Sequence, residues 1–247
     1  NGPSGCTRRL HAESDFLSLG SKALSSMDLI EFVCGGNFGR SPLAELIAQN
    51  YLREIGKDHS YSACSSGAIV DAIDKHDIPL EKRIDWIGRA IRKGGVFSQQ
   101  EKVSIEEALA ENDSETILAY GEIVQERLHG IESEYRDEAL LKYKICGRVK
   151  ETREQTRAEP GRVAVLSVTP QDNEKVIAIY TNAGYRGEGV CFSKNGSRTF
   201  LDTILNFAVG SDDGSLYGQF GKTREQYFQL VEKLIEVVPM AVDKAIQ

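Results

Sequence analysis

The chain lacks the usual signatures of several protein classes. Its five cysteines, Cys6, Cys34, Cys64, Cys146 and Cys191, are odd in number and scattered, with no Cys-x-x-Cys pair. That excludes a disulfide framework and a cysteine-ligated zinc site, and makes a reducing cytoplasm the expected location. The four histidines, His11, His59, His76 and His129, stand alone without metal-ligand spacing, so each is expected to pack or face solvent rather than ligate. No metal and no cofactor is expected. An apolar run long enough to span a bilayer is missing, and so is the apolar core of a secretory signal. Basic residues are outnumbered: Lys and Arg total 30 against 37 Asp and Glu, leaving a net charge of -7. Such a balance argues against nucleic acid and anionic membranes as partners.

What remains is the composition of a globular protein, 40% hydrophobic and 27% charged over 247 residues. That length suits one α/β domain with an insertion, or two small domains. Residues 1–27 are polar and rich in Ser and Gly, and are expected to be a flexible N-terminal extension; Met27, directly before the first strand-like run, would then mark a natural start.

Asp28 to Val33 reads as a buried strand, followed by a Gly-rich turn from Cys34 to Arg40. Ser41-Pro42 looks like an N-cap with Pro at the first helical position. Ala44, Ile47, Ala48, Tyr51, Leu52 and Ile55 then recur at helical spacing up to Gly56. Tyr61 to Cys64 reads as a second strand and Ile69 to His76 as a short helix. From about Leu80 to Pro160, charged and apolar residues interleave at helical spacing. Val163 to Val168 returns to a buried parallel-type strand, and Thr169-Pro170 opens a helix to Gly184. Val190 to Phe192 reads as a fourth strand and Ser197 to Val209 as helix. Thr223 and Gln226 form a capping-box pattern for a last helix. Strands alternating with helices predict an α/β fold, an open parallel sheet flanked by helices. The expected division is an α/β domain from 28–83 and 161–247, with a helical insertion at 84–160.

The segment Cys34-Gly-Gly-Asn-Phe-Gly-Arg40-Ser41 carries the chemistry. At a strand's carboxyl end and a helix's amino end, unpaired N–H groups and the helix dipole favour an anion. Gly35, Gly36 and Gly39 permit a wrapped backbone, a nest for phosphate oxygens. The same field stabilises a thiolate. Arg40 supplies a planar fork for two phosphate oxygens. Ser41 can hydrogen-bond the sulfur, and Asn37 is placed to brace the loop. No Gly-Lys-Ser/Thr follows, so this is not a nucleotide-binding Walker loop. It is a Cys-x5-Arg-Ser pattern, which cysteine phosphatases share.

Residues Ile30 to Ile55 resemble the low-molecular-weight protein tyrosine phosphatases, whose loop reads Cys-x-Gly-Asn-x-Cys-Arg-Ser-Pro. Ser65-Ser66-Gly67-Ala68 is similar to that family's Ser-Ala-Gly-Thr, Val163 to Val176 to its third strand and helix, and Phe220 to Val238 to its last helix. The resemblance implies phosphomonoester hydrolysis through a phosphocysteine on Cys34, with residues 35–41, Phe38 included, around the phosphate. Substrates would be phosphorylated proteins or small phosphomonoesters, with inorganic phosphate, sulfate or vanadate as site ligands. A bulky Phe38 fits the phosphotyrosine enzymes, whereas the phosphoarginine relatives are expected to carry a Thr there.

Three departures stand out. Gly39 replaces the family's second loop cysteine, so Cys34 has no adjacent resolving thiol. The family's acid, an Asp-Pro before the last helix, falls on Gly218-Gln219 in a gapless alignment; a small loop insertion offers Asp212 or Asp213 instead. The insertion at 84–160 has no counterpart, and is open to three readings: a cap over the site, a protein-docking module or an oligomer interface. Tyr217 and Phe220 are candidates to flank an aromatic substrate ring. A phosphate- or phosphopeptide-binding module without the acid is the alternative function. An arsenate reductase would need a second thiol within reach of Cys34.

Overall fold

A computed structural model describes residues 27–75, 77–150, 152–210, 216 and 223–247. The N-terminal segment through residue 26 lies outside the described residues.

The chain opens with β1 (Asp28–Cys34), whose Leu29-Ile-Glu-Phe-Val33 run is apolar on both faces apart from Glu31. Such a strand belongs in the middle of a sheet with both faces covered, and β1 is paired in parallel with β2 (Tyr61–Gly67) on one side and β3 (Arg162–Ser167) on the other. Between β1 and β2 runs α1 (Arg40–Glu54). After β2 come α2 (Val70–Asp74), α3 (Leu80–Lys93), α4 (Gln99–Glu111) and α5 (Ser114–Lys142). β3 leads into α6 (Pro170–Asn182), then β4 (Arg186–Glu188), β5 (Cys191–Lys194), β6 (Ser197–Thr203), α7 (Ile204–Val209) and α8 (Arg224–Ala245).

The sheet order is β2-β1-β3-β6-β5-β4. The first four strands are parallel, and β5 and β4 extend the sheet as an antiparallel hairpin. Strand alternation sorts the core into two layers. Ile30, Phe32 and Leu166 pack under Leu43 and Ile47 of α1 and Leu230, Val231 and Leu234 of α8. Val33, Val165 and Leu201 face the other way, under Val176 and Tyr180 of α6. The chain leaves β1 toward β2 but leaves β3 toward β6. The loops after β1 and β3 therefore diverge, and this switch point opens a crevice at the carboxyl ends of the strands.

Glu31, 1% exposed, is the exception in β1. Its carboxylate accepts from Arg162 Nε at 2.8 Å and from Ser66 Oγ at 2.5 Å, which satisfies a charge that would otherwise be costly to bury.

Two expectations are corrected. Ser197 to Thr203 is strand, not helix: Phe200, Leu201, Asp202 and Thr203 pair in parallel with β3, and helix begins only at Ile204. Thr199 and Phe200 suit a pleated, half-buried surface, and pairing on both edges overrides the local pattern. Helix expected through Pro160 stops at Lys142. The return segment instead runs along α1, where Asn50 exchanges two hydrogen bonds with the Cys146 backbone, and forms a parallel bridge from Gln155 to Gly67.

Helices α3, α4 and the first half of α5 share their own cluster of Ile87, Phe97, Ile105, Ile117, Val124 and Leu128. α5 is long enough to reach past it, so that Ala139 is buried in the main core. Among the described residues no helix is long and apolar enough to cross a membrane.

Candidate active site

Cys34 ends β1 in the crevice, 3% exposed. α1 begins at Arg40, two residues earlier than the Ser-Pro pattern suggests, and its N-cap position, Gly39, offers no side-chain cap. Ser41 is therefore inside the first turn. Its hydroxyl is not used as a cap. It lies 3.0 Å from Cys34 Sγ, 3.1 Å from Asn37 Oδ1 and 3.1 Å from the Ser66 carbonyl. One hydroxyl proton faces three acceptors, so it goes to the strongest, and a thiolate would take it. Pro42 fits here because first-turn residues have no helical acceptor for an N–H.

The loop is braced from β2. Asn37 sits in the left-handed region (φ 49°), which asparagine tolerates better than most residues, and its amide donates to the Ser65 carbonyl at 3.4 Å. Ser65 in turn donates to Glu45 at 2.6 Å, and Ser66 to Glu31 at 2.5 Å. Two buried carboxylates thus fix the strand whose carbonyls hold Asn37 and Ser41. The Cys34 and Gly35 carbonyls accept from Ala68 and Ile69 N–H, both at 2.9 Å. Gly67 lies against the loop so closely that a Cβ there would sit 2.6 Å from Asn37 N.

Arg40 donates through Nη1 to the Leu216 carbonyl at 2.5 Å, and Leu216 N–H donates to Val168 at 2.7 Å. This tether across the crevice uses one of five guanidinium donors.

A cavity of about 570 Å³ opens above the loop. Cys34, Gly35, Gly36, Phe38, Gly39 and Arg40 form its floor. Its walls combine Ile69 and Ile73 around α2, Lys82, Asp85, Trp86 and Arg89 of α3, Gln125, His129 and Glu132 of α5, and Thr169 to Asp172 with Lys175 of α6. Phe38 stacks on His129, ring centroids 3.4 Å apart and nearly parallel. Burial, reinforced by the Arg153 cation, lowers the His129 pKa to about 4, so the ring is neutral near pH 7. Asp172, 6% exposed, accepts from the Thr169 hydroxyl at 2.8 Å on Oδ2, while Oδ1 lies 3.7 Å from where a Gly35 Cβ would be.

Cys34, Asn37, Phe38, Arg40, Ser41 and the three loop glycines are thus brought together. Asp212, Asp213, Tyr217 and Phe220 lie outside the described residues. Sequence reasoning missed the walls. It took His129 as an isolated packing residue, and it does pack, but against the loop itself. It did not place Trp86, Asp172, Lys82 or Lys175 at the site, because helical spacing alone cannot say which neighbour a face meets.

Among the described residues no second thiol reaches Cys34. Cys64 pairs with Glu31 in the β1–β2 register, while Cys34 pairs with Gly67, three positions along. That offset is roughly 10 Å, beyond disulfide reach. Burial and the neighbouring Glu31 also push the Cys64 thiol up to about 12.

Residues 29–84 match the family described as Low molecular weight phosphotyrosine protein phosphatase. Solved structures similar to this chain include a YwlE mutant from Bacillus subtilis, 16% identical over 90% of this chain and 100% of that one, TM-score 0.48. A low molecular weight protein tyrosine phosphatase from T. tengcongensis is 18% identical over 89% and 99%, TM-score 0.47. VcLMWPTP-2 from Vibrio cholerae is 13% identical over 89% and 97%, TM-score 0.49. No curated protein matches the chain.

Proposed function

We propose that this chain, which carries a low molecular weight phosphotyrosine protein phosphatase segment over residues 29–84, is a cysteine-dependent phosphomonoester hydrolase and most specifically a protein tyrosine phosphatase. The observation that carries the reading is the Ser41 hydroxyl 3.0 Å from Cys34 Sγ, inside a loop that joins a buried strand to a helix without a side-chain cap.

The Cys34 thiolate attacks phosphorus, forming the S–P bond as the P–O bond to the leaving group breaks. The three non-bridging oxygens rest on the amides of Gly35, Gly36, Asn37, Phe38, Gly39 and Arg40 and on the Arg40 guanidinium, where charge builds in the transition state. A carboxylic acid protonates the leaving oxygen, and Asp212 and Asp213 are its candidates. Water then attacks the phosphocysteine, giving its proton to the same carboxylate, and the S–P bond breaks. The Ser41 hydrogen bond stabilises the departing thiolate, which makes it most useful in this second step. Ile69, Ile73, Trp86 and Phe38 around the cavity suit an aryl ring, which favours phosphotyrosine. The helical insertion acts as a cap, since α3 and α5 line the same cavity as Cys34. Dependence on a free thiol suits a reducing cytoplasm.

Hydrolysis of a small aryl phosphate by the wild type, Cys34→Ser, Asp212→Asn and Asp213→Asn tests this reading. Cys34→Ser should abolish turnover, and one Asp variant should lose roughly 10²–10⁴-fold. A wild type that binds orthovanadate or phosphate but turns nothing over would replace the enzyme with a phosphopeptide-binding module.

A further inference from the structure

Among the described residues, two cations on the cavity wall are in no salt bridge. Lys82 projects from α3, in the helical region, and Lys175 from α6, on the sheet domain, and both line the cavity that holds Cys34 and Arg40. Among the described residues neither ammonium has a carboxylate within 4.0 Å. Their neighbour Arg89 differs, because Asp85 pairs with it at 2.7 Å. Arg40 is also engaged, through the Leu216 carbonyl.

The two lysines feel each other. Burial, and after it the Lys175 charge, lower the Lys82 pKa, while Asp172 and Asp85 only partly offset them. Two like charges held together in a partly dehydrated cleft repel. An anion placed between them would reverse the sign of that interaction. The cavity lining holds four cations (Arg40, Lys82, Arg89 and Lys175) against three carboxylates (Asp85, Glu132 and Asp172), a small positive balance in a molecule that carries -7 as a whole. The phosphoryl group itself is already served by the loop and Arg40. A second anion is therefore the missing partner.

We propose that Lys82 and Lys175 form a second anion subsite, which selects phosphomonoester substrates carrying a carboxylate beside the phosphorylated residue. The inference rests on the phosphatase reading and names its substrate class: a phosphopeptide with an acidic side chain flanking the phosphotyrosine. The subsite spans both parts of the molecule, so the helical region contributes directly to substrate choice.

The test compares two short phosphotyrosine peptides that differ only in flanking Glu or Gln. The wild type should prefer the Glu peptide by about tenfold in kcat/KM, and Lys82→Gln or Lys175→Gln should each cut that ratio by roughly threefold. The double variant should bring it near one, Lys82→Glu should favour a Lys-flanked peptide, and Lys57→Gln, far from the cavity, should keep the wild-type ratio. A ratio near one in the wild type, or one unchanged in the double variant, overturns the subsite while leaving the phosphatase intact. If neither peptide is hydrolysed, the phosphatase reading falls, and calorimetric titration of both peptides onto Cys34→Ser decides the subsite. Tighter binding of the Glu peptide that depends on Lys82 and Lys175 supports it, and equal binding or none overturns it.

Discussion

Replacing Gly67 with alanine should damage the candidate active site without touching any side chain proposed to contact phosphate. The new Cβ would lie 2.6 Å from Asn37 N, 2.7 Å from the Gly35 carbonyl oxygen and 2.7 Å from Val70 Cγ2. Val70 can rotate, but the other two atoms are backbone of the loop from Cys34 to Ser41. Gly67 cannot retreat: its N–H donates to the Glu154 carbonyl at 2.7 Å, its carbonyl accepts from Thr156 at 2.9 Å, and it is paired with Cys34 in the sheet. The loop must therefore give way, by about 0.8 Å to reach ordinary contact. A displacement near 1 Å in a preorganised site costs about 10²-fold in rate. Overpacking should also lower stability by about 1–3 kcal/mol. The comparison is Gly35→Ala, whose Cβ would meet nothing nearer than Asp172 Oδ1 at 3.7 Å, so its melting temperature should stay close to wild type. Aryl phosphate kinetics with parallel thermal melts measure both effects. A Gly67→Ala protein retaining kcat/KM within about threefold would refute the idea that this glycine sets the loop.

Other outcomes follow from the same contacts. Ser41→Ala removes the hydroxyl 3.0 Å from Cys34 Sγ, so phosphocysteine hydrolysis should slow about tenfold and a burst of leaving group should appear in rapid-mixing kinetics. Arg162→Met leaves the buried Glu31 carboxylate without its cation and should destabilise by about 3–5 kcal/mol in urea melts, whereas Glu31→Met combined with it should recover much of the loss. His129 holds its pKa at about 4 in the fold against an ordinary 6.5. Its neutral form is the native one, so the stability it confers is complete above about pH 6.5 and declines as pH falls toward 4, where the unfolded chain is already protonated. Between pH 7 and pH 4 the wild type should lose up to about 3 kcal/mol more than His129→Gln, read from urea midpoints.

The loop from Cys34 to Ser41 was legible because its residues are local. Strand, turn and helix follow one another within Asp28 to Glu54, so Cys34, Arg40 and Ser41 are neighbours in space for the same reason they are neighbours in the chain. The open, mostly parallel sheet was legible for a related reason, since alternating strand and helix patterns leave few arrangements. Even so, Ser197 to Thr203 read as helix locally and became strand through pairing with β3 and β5.

What the tertiary structure alone decided is what surrounds the loop. Only folding sets the Ser66 carbonyl against Ser41, 25 residues apart, or Arg40 against Leu216, 176 apart. Only folding stacks His129 on Phe38 and brings Lys82 and Lys175 to the wall of one cavity. Helical periodicity records which face of a segment is apolar, but not what that face or its polar edge will meet. The loop from Cys34 to Ser41 is therefore written in one stretch of chain, and the shape and charge of the cavity above it arise from contacts between distant ones.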